Sequence, residues 1–175
     1  MIPAFVIHHT SSKDRKDLVE KLVKETGAIR FQSIWLDDHK LGCTRSHIGV
    51  AKLAKSLYPT QSYLVFEDDC ELYEGWRDLL NTNADVIYLG YNDKSTKVIY
   101  GTHALYITPK MRDIIIADAE RVKDDVINNA AYDHILSKLI VDHMCSMSYP
   151  CYDEREKYCK QSRGLRSTIT GKIRV

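Results

Sequence analysis

Apolar residues in this chain come either in short unbroken runs or at intervals of three and four. Residues 4–7 (AFVI) and 63–66 (YLVF) are continuous runs, the pattern of strands covered on both faces. Residues 31–36, 84–89 and 103–107 read as further strands, the second of them closed by Gly90. Leu18, Val19, Leu22 and Val23 recur at helical spacing, with Gly27 as a C-terminal stop. Ile48, Ala51, Ala54 and Leu57 define a second helix, opened by a cap at Thr44 or Ser46 and ended by Pro59. Thr108-Pro109 is a strong helix start ahead of Met111, Ile114, Ile115 and Ala119, and Ile135, Leu136, Leu139 and Ile140 give one more helix. Residues 91–100 read as a polar loop, residues 121–131 are polar, and beyond Pro150 the periodicity fades. Strands alternating with helices predict an α/β domain with a mostly parallel sheet, whose ligands bind at the carboxyl ends of the strands.

Composition narrows this picture. At 175 residues the chain suits one domain able to bury about 70% of its unfolded surface. Residues 1–150 form that domain, and residues 151–175 read as a tail packing on or near the site. A formal net charge of +1 suggests neither nucleic acid nor a strongly acidic partner. No segment approaches the ~20 apolar residues of a membrane span. Five cysteines, odd in number and in no C-x-x-C pair, fit a reducing compartment, so a cytoplasmic location is expected.

The stretch YLVFEDDCEL carries the candidate chemistry. Its apolar run leads straight into Glu67, Asp68 and Asp69, and alternation on an extended backbone would put Glu67 and Asp69 on one face with Asp68 on the other. Like charges about 4 Å apart repel by roughly 4 kcal/mol at an effective dielectric near 20, so a cation is expected among them.

The blocks in their order, namely a first strand followed by D-R, GCTRSH opening a helix, Y-L-V-F-E-D-D, GTHALYITP and a late Y-D-H, resemble glycosyltransferase family 25. This family includes lipooligosaccharide and collagen galactosyltransferases. The resemblance implies a GT-A type nucleotide-sugar-binding fold, with a UDP-sugar (commonly UDP-galactose) as donor and a hydroxyl on a glycan or protein as acceptor. It also implies a divalent cation, usually manganese, with magnesium the other choice. Hard oxygen ligands suit such ions, which take one or two carboxylates plus substrate phosphates. Glu67-x-Asp69 is similar to the D-x-D motif of GT-A enzymes: Asp69 is expected to bind the metal, with Glu67 beside it on the ribose or a coordinated water. Asp68 is counted with the donor-binding residues.

Arg15 follows the first strand, where its planar fork could bind a phosphate; its bland alternative is a solvated helix-start charge. Thr44, Ser46 and His47 are expected at a helix N-terminus, which favours an anion, although capping alone would explain Thr44. His103 enters a strand from a glycine turn and is expected to face sugar or metal. Asp133 or His134 is the expected general base for the acceptor hydroxyl, with Asp133 preferred. Gln161 and Ser167 fall where the family's C-terminal segment carries polar residues. The Asp37-Asp38-His39 cluster reads better as a solvated loop than as a metal site, and Arg163, Arg166, Lys172 and Arg174 read as a solvated end. A non-catalytic nucleotide- or sugar-binding module is the second reading, and a metal-dependent phosphohydrolase or nuclease the third.

Overall fold

A computed structural model describes residues 1–95, 98–121 and 131–162. Residues 122–130, within the polar segment 121–131, and the tail positions Arg163, Arg166, Ser167, Lys172 and Arg174 lie outside the described residues. Six strands make the central sheet: β1 (Ala4–His8), β2 (Ile29–Gln32), β3 (Tyr63–Glu67), β5 (Val86–Tyr88), β8 (Ala104–Ile107) and β9 (Met147–Ser148). Their order is β2-β1-β3-β8-β5-β9. Only β8 runs against its neighbours β3 and β5; the other pairings are parallel.

The side-chain alternation of β1 and β3 builds two cores. Phe5, Ile7, Tyr63 and Val65 face one side, and Ala4, Val6, Leu64 and Phe66 the other. The first group packs on three helices, α2 (His39–Leu57), α3 (Pro109–Arg121) and α4 (Tyr132–Asp142), through Val50, Ala51, Ala54, Met111, Ile115, Leu136 and Ile140. The second packs on α1 (Lys16–Thr26) through Val19 and Leu22, and on Trp76. Both faces are therefore covered, which is why β1 and β3 are apolar throughout. Arg112 of α3, 1% exposed, ties α3 to the end of α2 by donating to the carbonyls of Tyr58 (3.0 Å) and Pro59 (2.6 Å).

Several boundaries differ from those expected. Instead of residues 31–36, β2 spans Ile29–Gln32, because its partner β1 ends at His8; Ser33 N–H makes the last bond to His8 O (3.0 Å). Helix α2 begins at His39 rather than near Thr44, because the Asp38 carboxylate caps it, accepting from Lys40 N (2.9 Å) and Leu41 N (3.2 Å). The loop expected at 91–100 contains a small hairpin, β6 (Asp93–Lys94) with β7 (Ile99–Tyr100). Two further strands pair antiparallel at the sheet's carboxyl edge: β4 (Cys70–Leu72), directly after the acids, and β10 (Cys159–Gln161) from the C-terminal segment.

Candidate active site

Ile7 pairs with Glu67 where β1 and β3 end, so the chain leaving each strand enters the same space. After Glu67 the backbone turns at Asp68 and Asp69, and the strand alternation lapses. As a result Glu67 and Asp69 do not share a face as expected; Asp68 and Asp69 both approach Arg15. Arg15 closes a short 3-10 turn after β1 and is 3% exposed. Its Nη1 donates to Asp68 and lies 3.6 Å from Asp69 Oδ2, while His8 Nδ1 stands 3.1 Å from Asp68 Oδ2. Burial works against the Arg15 charge, but Asp68 and then Asp69 outweigh it, so the guanidinium is held above its ordinary range. The cation that relieves the acidic turn is thus a side chain of the protein.

Glu67 points elsewhere. Its Oε1 accepts from Thr102 Oγ1 (3.0 Å) and lies 3.3 Å from His47 Nε2, and its Oε2 accepts from Gln161 Nε2 (3.4 Å). Burial would raise its pKa, yet the bond and charge of His47, with His103 and Thr102, hold it down at about 2. Asp133, in the first turn of α4, approaches from the opposite side, 3.5 Å from the Gly101 N–H. Burial and then the Glu67 charge push its pKa up, only partly offset by Gly101, Thr102 and His47. Two carboxylates of opposite tendency therefore share one opening, an arrangement suited to assigning one as proton acceptor.

The other expected residues take different places. Thr44 and Ser46 sit inside α2, so neither is at a helix N-terminus. Ser46 donates to Gly42 O (2.7 Å) and accepts from Ile34 N (2.8 Å), tying the loop after β2 to the helix. Gly42 permits that approach: a Cβ there would lie 2.7 Å from Ile34 O. The Thr44 hydroxyl is fully buried and has no hydrogen-bond partner among the described residues. His47, 2% exposed, is stacked on Tyr132 with ring centroids 4.2 Å apart. His103 is fully buried rather than turned to the opening. Its pKa is raised despite burial, by Cys159 first and then by Glu67 and Asp69. His134 is exposed, edge-on to Tyr100. Behind Asp69, the Cys70 and Cys159 sulfurs are 3.1 Å apart. Burial disfavours a Cys159 thiolate, but the Cys70 thiol donated to it and the His103 imidazole beside it hold its pKa below the usual thiol range.

Two clefts, each with about 540 Å³ of space continuous with solvent, meet at Cys43 and Glu67. Arg15, His9, Trp35, His39 and Asp68 line the first; Thr102, Tyr132, Asp133, Asn92 and Gln161 line the second. Trp35, 52% exposed, lies between the rings of His9 (4.6 Å) and His39 (4.8 Å). Sequence reasoning missed Trp35, Cys43 and Thr102. The signals were present: a tryptophan in a polar loop beside histidines, and a cysteine and histidine four positions apart on a helix.

No protein-family sequence model matches the chain, and no curated protein matches it in sequence. Solved structures do match. One is a crystal structure of a glycosyltransferase involved in the glycosylation of the major capsid of PBCV-1, at 14% identity and TM-score 0.54 over 82% of this chain and 76% of that one. Another is A197 from STIV, at 13% identity and TM-score 0.57 over all of this chain and 95% of that one. At such identities the likeness is one of fold, and the resemblance to family 25 rests on the quoted motifs alone. The fold is GT-A-like: a mostly parallel sheet flanked by helices, with its acidic residues at the carboxyl edge.

Proposed function

We propose that this protein transfers a hexose, galactose first among the candidates, from a UDP-sugar to a hydroxyl of a glycan or protein acceptor. The observation that carries this reading is that Asp133 and Glu67 line one cleft at the edge where a GT-A-like sheet binds its ligands, where burial and the Glu67 charge raise the Asp133 pKa. In this reading the nucleotide occupies the first cleft, its base against Trp35. The acceptor enters the second cleft, where Asp133 takes the hydroxyl proton. The acceptor oxygen then bonds to the anomeric carbon as the bond from that carbon to the diphosphate breaks, its electron pair leaving with UDP. One displacement of this kind inverts the anomeric centre, through a transition state of oxocarbenium character.

The resemblance to family 25 implies a manganese or magnesium ion. Hard divalent ions want several oxygen ligands. Glu67 offers one to the opening, but Asp69 is 2% exposed and drawn to Arg15, so the two do not form the expected pair. Release of UDP from a panel of UDP-hexoses, measured with manganese and with chelator, tests the proposal. Release from one sugar supports it and names the donor; its dependence on manganese decides the ion. UDP binding without release from any sugar would favour the binding module, a reading to which the neutralisation of Asp68 and Asp69 by Arg15 lends weight.

A further inference from the structure

Cys43 and His47 stand four positions apart on α2, which places both on one face of the helix, and that face abuts the end of β3. One ligand atom from each of Cys43, His47 and Glu67 falls within 4.8 Å of the others, the only such three-residue group among the described residues. His47 Nε2 and Glu67 Oε1 are 3.3 Å apart. In a tetrahedral zinc site, bonds of about 2.0–2.3 Å put ligand atoms roughly 3.3–3.7 Å from one another, so small side-chain rotations close the set.

Three further features favour an ion here. The ring of His47 is fixed by stacking on Tyr132, so little ordering remains to be done. Glu67 and Asp133 line the second cleft beside Cys43 and give it negative charge, which attracts a cation. Cys43 and Glu67 line both clefts, which supplies a path from solvent and leaves a coordination position open. The donor set decides the class of ion: sulfur, imidazole and a single carboxylate suit zinc, whereas magnesium and manganese favour all-oxygen surroundings.

We propose that Cys43, His47 and Glu67 form a binding site for a zinc-class divalent cation at the junction of the two clefts. On binding, the Cys43 thiol and the His47 Nε2 that faces Glu67 each release a proton to solvent, so that Cys43 enters as thiolate, His47 as neutral imidazole and Glu67 as carboxylate. The site stands on ligand geometry and not on the transferase reading, and it is read on the protein without any sugar donor.

Cobalt(II) titrated into the full-length, reduced, metal-free protein is the test, because a sulfur-to-cobalt charge-transfer band reports a bound thiolate. The proposal predicts a band saturating at one cobalt per chain, displaced by zinc, absent from Cys43→Ser and retained in Cys151→Ser. Zinc affinity, measured by competition with a chelating dye, should fall more than about 10-fold in Cys43→Ser. Circular dichroism establishes that the variant folds; should it not, His47→Gln takes its place with the same expected loss of zinc affinity. No band at stoichiometric cobalt, a band that survives Cys43→Ser, or undiminished zinc affinity in His47→Gln overturns the proposal.

Discussion

Gly90 lies two residues beyond β5 and directly beneath β10, where the backbones leave no room for a side chain. A Cβ at this position would sit 1.9 Å from Cys159 O, 2.8 Å from its carbonyl carbon and 3.0 Å from Arg155 O. Ordinary contact starts near 3.4 Å, so Gly90→Ala drives the β10 backbone back by about 1.5 Å. Backbone cannot swing aside as a side-chain tip can. The shift strains the β4–β10 ladder, draws Ser162 N–H away from Asp69 O (2.6 Å) and separates Gln161 from Glu67 (3.4 Å). Overpacking costs about 1–3 kcal/mol, and one lost hydrogen bond adds about 1 kcal/mol. For a chain of this size 1 kcal/mol moves Tm by about 2–4 °C, so thermal denaturation should place Gly90→Ala about 5–15 °C below the parent protein. Gly49→Ala is the control: its Cβ would meet only the tip of the Phe31 ring, at 2.6 Å, and alanine is the better helix former by about 1 kcal/mol. Its Tm should stay within about 4 °C of the parent. A Gly90→Ala protein that melts with the parent and keeps its hydrogen-exchange protection in β4 and β10 would refute the placement of β10 over this position.

Replacing Arg15 with Met strands two buried carboxylates and should cost about 3–5 kcal/mol near neutral pH. Urea denaturation at pH 7 checks this, and a loss below about 1 kcal/mol, the size expected of an exposed pair, contradicts the buried ion cluster. Glu67 is depressed to about 2 from a reference of 4.5. Its stabilisation is therefore present above pH 4.5 and lost as pH falls toward 2, and Glu67→Gln should flatten that acid limb. An unchanged slope would show that the His47 and Thr102 contacts do not hold the charge. Cys70 and Cys159 are 1% and 0% exposed while Cys151 is exposed, so a thiol reagent added to the folded protein should label Cys151 first and leave Cys70 and Cys159 unlabelled until denaturant is added. Peptide mapping that finds Cys70 or Cys159 labelled first contradicts their placement.

The parts of the fold legible in the sequence are those set by neighbours along the chain. The doubly covered strands β1 and β3, the Gly27 stop of α1 and the Thr108-Pro109 start of α3 are local patterns, and the Thr108 hydroxyl does accept from Met111 N (3.4 Å). Local sequence does not decide the start of α2, because Asp38, Thr44 and Ser46 are all capable caps. Only tertiary structure shows that Ser46 is occupied with Gly42 and Ile34. A start near Thr44 leaves Cys43 outside the helix, whereas the start at His39 puts it beside His47 on one helical face. The acidic turn was legible as a site in need of a cation, but alternation assigned its faces wrongly, because Asp68 and Asp69 lie in a turn. Their partner Arg15 lies 53 positions from Asp68, and β10 lies 89 positions from β4 at the Cys70–Cys159 contact. No local pattern encodes pairings over such distances.

Whether Asp133 serves hexose transfer from a nucleotide sugar at this sheet edge is decided by UDP release from UDP-hexoses, measured for the parent protein and Asp133→Asn across pH. With no acceptor added, water takes the acceptor's place, and Asp133 must be ionised to accept its proton. Because its pKa is raised, release should rise with pH through a point above the ordinary Asp value and then level off, while Asp133→Asn should bind UDP as well as the parent but free none from a UDP-hexose. Equal release by the variant, or a rate indifferent to pH, would contradict the claim.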